Sequence, residues 1–261
     1  MMDQPPNTQA EIAVRASGNN CIAAAEVLAR QLGLPLLGPG DEQYEFELMQ
    51  IDGRLELHHN VPKGPGPVAV DFVGGDVGHR RKFGRQKREA IGQAAGIYKH
   101  KYFIVDATAG MGKDAFWFAL RGCRVLGLER SPVVAAMLQD GLARALADDE
   151  LGGIIGDKLS FRCADAREIL PVLTGDEIPD VVYIDVMYPE DRRKPALPGK
   201  DMQVLRRLLG DDGDAGQLLA AARQVARSRV VVKRPRYAPP LAGKPSLDFS
   251  SAKTRFDVYL S

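Results

Sequence analysis

From residue 102 onward, short apolar runs alternate with amphipathic runs, and this alternation constrains the fold more than any other feature of the sequence. Apolar runs bounded by turn residues predict strands, and amphipathic runs predict helices. Strands that alternate with helices build a parallel sheet covered on both faces. We predict strands at residues 102–105, 124–128, 159–163, 180–184 and 229–233, and helices at 113–121, 131–146, 166–173 and 218–226.

The last two predicted strands, at residues 247–250 and 255–260, leave no room for a helix between them and should form an antiparallel hairpin. Residues 1–78 differ in pattern, because Asp52-Gly53 lies between two alternating apolar and polar runs, which indicates a β-hairpin. Further strands are predicted there at 10–16 and 68–73, with a helix at 23–32. We therefore predict a small N-terminal α+β subdomain over residues 1–78 and an α/β domain over residues 79–261.

The composition is that of an ordinary globular protein, and the overall charge gives no indication of a nucleic-acid partner. The formal net charge over 261 residues is +1, so any argument for nucleic acid must rest on local clusters of charge. The first residues lack the regions of a signal peptide, and no apolar run approaches the roughly 20 residues of a membrane helix. Cys21, Cys123 and Cys163 lack metal-ligand spacing, which predicts buried free thiols, a reducing cytoplasm and no metal site.

The stretch VDATAGMGKDAF (residues 105–116) places an acid, Asp106, and two glycines, Gly110 and Gly112, at the exit of the first predicted strand of the α/β domain. In a parallel sheet the ligand lies beyond the carboxyl ends of the strands, where strand order reverses. Glycines there allow the backbone to approach the ligand closely, and the helix that begins near Lys113 offers the N–H groups of its first turn. Because the same spacing fits the dinucleotide-binding fingerprint, the turn alone does not identify the ligand.

Further acids narrow the choice of ligand. Glu129 ends the next predicted strand, where a carboxylate can accept hydrogen bonds from the ribose hydroxyls of an adenosine in NAD enzymes and in methyltransferases alike. Asp106 would repel a pyrophosphate but suits a cationic amino acid, which favours S-adenosylmethionine. Asp165 ends the third strand, and it either faces the adenine or caps the helix that follows.

The stretch YIDVMYP (residues 183–189) indicates the chemistry. Asp185 leaves a strand that we expect to neighbour the first one, which places the acid opposite the methyl donor. An acid followed three residues later by an aromatic resembles the Asp/Asn-Pro-Pro-Tyr/Phe signature of methyltransferases that act on exocyclic amines. Such an amine is a poor nucleophile because its lone pair is delocalised, and an acceptor on its N–H localises that pair. Tyr188 would stack on the extruded base; a strand-end turn with a buried tyrosine is the alternative.

Several stretches together make the chain resemble the bacterial small-subunit ribosomal RNA guanine-N2 methyltransferase J family; they are HRRKFG, VDATAGMGKDAF, LERSPVVAAML, YIDVMYP and VVVKRPRYAPPL. These stretches extend from residue 79 towards the C-terminus. The resemblance implies the Rossmann-like class I S-adenosylmethionine-dependent methyltransferase fold. It also implies methyl transfer from S-adenosylmethionine to N2 of guanine 1516 in 16S ribosomal RNA, with that RNA or the small ribosomal subunit as the partner.

The resemblance implies a set of cofactor contacts, which are Lys113, Asp114, Glu129, Arg130, Asp165, Ala166 and Asp185. The glycine turn adds Asp106, Gly110 and Gly112 to this set. The predicted catalytic residues are Asp185 and Tyr188. The chain departs from the family at one point, because Val186 stands where the family usually has a proline after the acid.

Two basic clusters are candidates for RNA contact. The stretch HRRKFGRQKRE would place charge on most faces of a helix, which excludes a core position; a solvated helix is the alternative. The stretch KRPRY follows the strand after that of Asp185 and should open onto the rim of the site; an ordinary basic turn is the alternative. The predicted RNA-binding residues are Arg80, Arg81, Lys82, Arg85, Lys87, Arg88, Lys233 and Arg234.

Two other functions stay open at this point. An NAD(P)-dependent oxidoreductase would use the same glycine turn, but it needs a hydride-transfer partner such as Tyr-x-x-x-Lys, which we do not find in the sequence. A noncatalytic RNA-binding or ribosome assembly factor would keep the cofactor site without the chemistry. Binding of S-adenosylmethionine in preference to NAD(P)H would exclude the oxidoreductase. Methyl transfer to undermethylated RNA would exclude the noncatalytic factor.

Overall fold

The computed structural model describes residues 11–18, 21–38, 40–74, 89–187, 199–210 and 213–261. The chain divides into two compact units, which are described separately below. The smaller unit groups the described residues of Met1–Ala69 and Asp191–Gly210, and the larger unit groups those of Val70–Glu190 and Asp211–Ser261. The boundary that the sequence predicts, between residues 78 and 79, lies outside the described residues.

The described residues form the following elements. The strands are β1 (Ile12–Arg15), β2 (Leu36–Leu37), β3 (Phe46–Ile51), β4 (Arg54–His59), β5 (Phe103–Asp106), β6 (Arg124–Glu129), β7 (Leu159–Cys163), β8 (Val181–Ile184), β9 (Arg229–Pro235), β10 (Leu247–Ser250) and β11 (Thr254–Leu260). The α-helices are α1 (Ile22–Leu32), α2 (Ala90–Ala95), α3 (Lys113–Leu120), α4 (Pro132–Ala147), α5 (Leu151–Ile155), α6 (Ala166–Ile169), α7 (Lys200–Leu209) and α8 (Ala215–Val225).

The smaller unit contains a sheet in the order β2-β1-β3-β4, in which β1 is parallel to β2 and β3. The predicted hairpin is confirmed, because β3 and β4 are antiparallel and Asp52 and Gly53 turn between them with φ of 48° and 73°. Positive φ at both central residues matches the right-handed twist of the two strands. The predicted strand at 68–73 is wrong except for a single bridge between Val68 and Leu57.

Helix α7 belongs to the smaller unit, although the sequence assigned its residues to the second domain. Long-range contacts decide this placement. The Arg207 guanidinium donates to both carboxylate oxygens of Glu45, at 2.5 and 2.8 Å, and Lys200 Nζ donates to the carbonyl of Pro67 at 3.0 Å. Neither pairing has a local sequence signal, because the partners are more than 100 positions apart in the chain.

The larger unit contains a sheet in the order β10-β11-β9-β8-β5-β6-β7. The strands from β9 to β7 in that order are parallel, and β11 is antiparallel to β9 and to β10, as predicted. Strand β5 pairs with β6 on one side and with β8 on the other, so strand order reverses beside β5. This reversal places the exits of β5 and β8 next to each other, where ligands of such sheets bind.

Both faces of the central strands are covered. On one face Val182 and Ile184 pack in the same core cluster as Leu218 and Leu219 of α8. On the other face Tyr183 meets the ring of Phe118 of α3, with ring centroids 5.4 Å apart. Because successive side chains of a strand point to opposite faces, the all-apolar run of β8 is the pattern of a strand buried on both faces.

The remaining differences from the predicted elements are local. The predicted helix at 166–173 is α6 followed by a 3₁₀ turn at Leu170–Val172, because Pro171 lacks the N–H that an α-helix needs to continue. Helices α2 and α5 were not predicted, and both are short and contain glycine. No α-helix in the described ranges is long and apolar enough to cross a bilayer. All three cysteines are free, but only Cys123 is buried, so the prediction of buried thiols is wrong for Cys21 and Cys163.

Candidate active site

The carboxyl edge of the parallel strands gathers the acids that the sequence singled out. Asp106 is the last residue of β5, Glu129 is the last residue of β6, and Asp185 directly follows β8. Lys233 lies near the end of β9, the next strand in the sheet. Because these strands are parallel, their ends lie along one edge of the sheet, and this edge is the candidate active site.

The glycine turn between β5 and α3 has two glycines with different roles. Both have positive φ, 51° at Gly110 and 71° at Gly112. A Cβ on Gly112 would approach side-chain atoms of Leu138, Phe72 and Phe161 to 2.7, 2.8 and 3.0 Å, whereas a Cβ on Gly110 would meet only the carbonyl oxygen of Thr108 at 3.9 Å. The expectation that both glycines make room for a ligand therefore needs correction, since Gly112 makes room for the core and only Gly110 leaves the turn open.

Glu129 holds the glycine turn in place. Its carboxylate accepts a hydrogen bond from the backbone N–H of Gly110 at 2.9 Å and another from that of Ser131 at 2.8 Å. Ser131 in turn caps α4, because its hydroxyl accepts from the N–H of Val134. These bonds orient the Glu129 carboxylate at the edge of the turn, which is the position that an adenosine ribose would need.

A cluster of three acids and one lysine lies behind the turn. We call Asp106, Asp114 and Asp185 the acid cluster. Lys233 Nζ donates to Asp185 Oδ2 at 2.7 Å and to Asp114 Oδ2 at 2.8 Å, and the Tyr183 hydroxyl donates to the same Asp114 oxygen at 2.7 Å. Asp114 lies in the first turn of α3, where the helix dipole also favours a negative charge. The lysine therefore joins two carboxylates that come from different elements.

The pKa values in this cluster are strongly displaced. Burial, reinforced by the nearby Asp114 carboxylate, raises the pKa of Asp106 to about 8, so this acid is protonated at neutral pH. Burial alone would lower the pKa of Lys233, but the Asp185 and Asp114 carboxylates outweigh it and raise that pKa well above its usual value. Burial also raises the pKa of Tyr183. The expectation that a charged Asp106 favours a cationic ligand is therefore wrong, because this acid is buried and neutral. The carboxylates that pair with Lys233 are those of Asp114 and Asp185.

Asp185 is the accessible member of the acid cluster. Its side chain is 38% exposed, and its backbone N–H donates to the Thr108 hydroxyl at 2.6 Å, which ties the exit of β8 to that of β5. The next residue, Val186, is buried in the core, so this position in the chain takes an apolar side chain. The arrangement presents a carboxylate, with a cation beside it, at the edge that faces the glycine turn.

A second set of ion pairs links the residues predicted to contact the adenine end of the cofactor. Asp165 caps α6 by accepting from the backbone N–H of Arg167 at 2.8 Å, and the Arg167 guanidinium lowers its pKa. Arg167 and Arg130 both pair with Asp214, at 2.8 and 2.9 Å. The helix-cap alternative for Asp165 is thus what the structure contains, and contact with an adenine stays a prediction.

The other predicted site residues fall into two groups. Lys113 is exposed at the first position of α3, and Ala166 is buried at the first position of α6. Several predicted residues lie outside the described residues, namely Tyr188, Arg80, Arg81, Lys82, Arg85, Lys87 and Arg88.

The structure corrects two of the RNA contacts predicted in KRPRY. The amino group of Lys233 is engaged by Asp114 and Asp185, so it belongs to the acid cluster rather than to an RNA surface. Arg234 is buried, and its guanidinium donates to the carbonyl of Pro239. A phosphate contact needs an accessible guanidinium, and β9 does not provide one at this position.

Three residues of the site were not identified from the sequence. Tyr183 was treated only as part of a buried strand, and Thr108 only as part of the glycine turn. Lys233 was seen as basic but assigned to RNA. The position of Lys233 near the end of a parallel strand beside Asp185 was the available signal, because strand ends in such sheets point to the ligand. The described residues contain no group of three or more His, Cys, Asp or Glu side chains that could hold a metal ion.

The chain is similar to known methyltransferases. Residues 27–261 match the family model "Putative SAM-dependent methyltransferase". The chain is 47% identical over 240 residues to the Ribosomal RNA small subunit methyltransferase J of Edwardsiella ictaluri (strain 93-146), covering 91% of this chain and 93% of the relative. It is 44% identical over 241 residues to the protein of that name from Coxiella burnetii (strain RSA 493 / Nine Mile phase I), covering 92% of both. The crystal structure of the SAM-dependent methyltransferase NGO1261 from Neisseria gonorrhoeae matches with a TM-score of 0.72 at 31% identity, covering 95% of each chain.

Proposed function

This chain belongs to the ribosomal RNA small subunit methyltransferase J family of SAM-dependent methyltransferases, and we propose that it methylates the exocyclic N2 of guanine 1516 in 16S ribosomal RNA. S-adenosylmethionine is the methyl donor. The substrate is 16S ribosomal RNA or the small ribosomal subunit, and the place of action is the cytoplasm. The observation that carries the proposal is the Asp185 carboxylate, paired with Lys233 and placed at the reversal of strand order beside the glycine turn.

The residues of the site fit the cofactor. A Cβ at Gly110 would project into the open side of the turn, so glycine there leaves room for a ligand against the backbone. The oriented carboxylate of Glu129 suits ribose hydroxyls. Asp106 is protonated at neutral pH, so Asp114 and Asp185 supply two negative charges against the one positive charge of Lys233. The remaining negative charge favours a cationic cofactor over an anionic dinucleotide.

For methyl transfer the protein needs to position the two substrates and to place a charged acceptor beside the amine. The sulfonium of S-adenosylmethionine supplies a methyl group that is already activated, so no metal is required. The guanine N2 amine needs an acceptor for its N–H, because this localises the lone pair that forms the new N–C bond. We assign that acceptor to Asp185, and the amine proton leaves to this carboxylate or to water as the bond forms. Lys233 stabilises the ionised form of Asp185 and so keeps it an acceptor.

The predicted adenine and base contacts complete the proposal. Asp165 and Ala166 lie at the start of α6, beyond the end of β7, where the adenine of an adenosine cofactor would lie. Arg130, beside Glu129, reaches the same group of ion pairs through Asp214. We propose that Tyr188 stacks on the target guanine. Residues Arg80–Arg88 are proposed to contact phosphates, because their positive charges are close together in the sequence.

The direct test is to map methylated guanines by mass spectrometry in 16S ribosomal RNA from a bacterial strain whose own gene for this chain is deleted. We expect N2-methylation at guanine 1516 to be absent, to return with the wild-type chain, and to stay absent with the Asp185→Ala variant. Methylation of guanine 1516 that persists in the deletion strain would contradict the proposal. Full restoration by Asp185→Ala would instead favour the noncatalytic assembly factor.

A further inference from the structure

The turn that follows β9 carries the most exposed large hydrophobic side chain of the described residues. Tyr237 is 89% exposed. An aromatic ring that stays almost wholly in water contributes almost no hydrophobic stabilisation to the fold. One exposed ring is common on protein surfaces, so a binding role for Tyr237 depends on the ordered backbone and the charges around it.

This turn is fixed by contacts rather than loose. The Arg255 guanidinium donates to the backbone carbonyls of Arg236 and Ala238, at 3.0 and 2.8 Å, which are the two residues that flank Tyr237. Arg255 is itself held by the buried carboxylate of Asp257, at 2.6 and 3.0 Å. A ring presented on a backbone that is already ordered loses little conformational entropy when it binds a ligand.

One cation lies beside the ring, and a second basic residue lies in the adjoining turn. The Arg236 guanidinium lies 5.6 Å from the centroid of the Tyr237 ring, and the backbone N–H of Arg236 donates to the carbonyl of Lys253 at 3.0 Å. Arg236 and Lys253 are both exposed. We call Arg236, Tyr237 and Lys253 the Tyr237 surface. It combines an exposed aromatic ring with positive charge, which is the pattern of proteins that bind single-stranded nucleic acid.

The Tyr237 surface adjoins the site through β9. Lys233 reaches Asp185 from this strand, and Tyr237 follows four residues later, in the turn after β9, so the Cα atoms of the two residues are at most about 13 Å apart. Strand β11 begins at Thr254, next to Lys253, and pairs antiparallel with β9, so the turn before β11 lies at the same edge of the sheet. The surface is therefore within a few nucleotides of the base that would face Asp185.

We infer that the Tyr237 surface binds a single-stranded segment of the RNA substrate next to the target guanine, an inference that rests on the function proposed above. A base stacks on the Tyr237 ring, and Arg236 and Lys253 contact the adjoining phosphates. RNA is favoured over a protein partner because the exposed ring has one cation beside it and a second exposed basic residue in the adjoining turn. Every base has a face that stacks on an aromatic side chain, and its phosphates match the charge.

The test measures affinity for an unmodified transcript of the 16S segment that contains guanine 1516, by fluorescence anisotropy at several salt concentrations. We expect Tyr237→Ala to bind about 5- to 100-fold more weakly, Tyr237→Phe to match the wild type, and Tyr237→Leu to resemble Tyr237→Ala. The plot of the logarithm of the RNA binding constant against the logarithm of the salt concentration should become shallower in Arg236→Gln. Its slope should fall by about 0.7–0.9, as expected for one lost phosphate contact. Arg162→Gln is the matched control. Arg162 is exposed on β7, the outermost strand on the side of the sheet away from β9, β10 and β11.

Cofactor affinity, measured by calorimetry, and the fluorescence of Trp117 should be unchanged in all these variants. The inference is overturned if Tyr237→Ala binds the transcript as the wild type does, or if Tyr237→Leu binds like Tyr237→Phe. It is also overturned if Tyr237→Ala weakens binding to the assembled subunit but not to the transcript, which would indicate a protein contact. Methyl transfer is measured in a separate assay. If the wild-type chain binds RNA through Tyr237 but does not methylate it, the proposed function is contradicted while the inference about the Tyr237 surface is supported.

Discussion

The amino group of Lys233 lies 2.7 Å from Asp185 Oδ2, at the edge of the sheet where strand order reverses. The same amino group lies 2.8 Å from Asp114 Oδ2, so a single cation joins an acid from the exit of β8 to an acid from the first turn of α3. The acid that we propose to face the base and the helix that we propose to face the cofactor are thereby linked through one side chain.

Removing this cation should change the pH dependence of the reaction. In Lys233→Met the pKa of the neighbouring carboxylates rises because their counter-charge is lost. An acceptor that must be ionised then works only at higher pH, so we expect the acid limb of the methyl-transfer rate at saturating cofactor to move up by about one pH unit or more. Lys233→Arg keeps the charge and should restore most of the profile. Lys101→Met is the control for loss of a lysine outside the acid cluster, because Lys101 is exposed before the start of β5.

A loss of rate in Lys233→Met that is equal at every pH would assign Lys233 a purely structural role. A profile identical to the wild type would remove it from the site altogether.

Asp106 should make the larger unit less stable as the pH rises. Its pKa of about 8 in the folded chain lies above the ordinary value, so the folded chain binds this proton more tightly than the unfolded chain does. Its contribution is therefore complete below about pH 4 and is lost as the pH rises through 8, with a slope of at most about 1.4 kcal/mol per pH unit. Asp106→Asn lacks this loss, so its free energy of unfolding relative to the wild type should increase from pH 5 to pH 8.

Urea unfolding followed by Trp117, the one tryptophan of the chain, measures this difference in the larger unit. A difference between Asp106→Asn and the wild type that does not vary with pH would show that Asp106 is ionised in the folded protein.

Replacing Glu129 should weaken the binding of S-adenosylmethionine. Glu129→Ala removes the hydrogen bonds proposed to the ribose, each worth about 1.5–3 kcal/mol, and also loosens the Gly110 turn. We expect S-adenosylmethionine affinity, measured by calorimetry, to fall at least about tenfold. Glu177→Ala is the control, because Glu177 is exposed and precedes β8, at the end of that strand away from Asp185. Equal affinities of Glu129→Ala and Glu177→Ala would show that the ribose does not lie against Glu129.

The two glycines of the turn should respond differently to alanine. Gly112→Ala places a methyl group 2.7–3.0 Å from Leu138, Phe72 and Phe161 at a positive φ, so we expect a loss of about 2–4 kcal/mol of stability. Gly110→Ala meets no such overlap and should cost about 1 kcal/mol, while its methyl group fills the open side of the turn and weakens cofactor binding. Thermal unfolding and calorimetry together separate the two effects. Equal loss of stability in both variants would contradict the assigned roles.

Much of the fold and of the site could be predicted from the sequence because both follow local rules. Buried strands alternate with helices, and ligands of parallel sheets lie at strand exits, which placed Asp106, Glu129 and Asp185 at one edge. The position of Lys233 could not be fixed in this way, because a lysine near a strand end reaches either solvent or the site, and only the packing of β9 against β8 decides. Arg234 was misassigned for the same reason, since the pleat turns it to the face opposite Lys233, where it is buried. Arg236 lies in the turn after β9 and is exposed. The place of α7 depended on one ion pair and one hydrogen bond between distant segments.

The central claim is that Asp185 accepts the guanine N2 hydrogen bond during methyl transfer. Its most direct test is the single-turnover rate of Asp185→Ala on an undermethylated 16S transcript, at saturating S-adenosylmethionine so that any loss of cofactor affinity is compensated. Asp185→Ala should reduce this rate by about 10²–10⁴, the range typical of a positioned proton acceptor, while RNA affinity stays near that of the wild type. A near-wild-type rate in Asp185→Ala under these conditions would contradict the account and place the acceptor elsewhere.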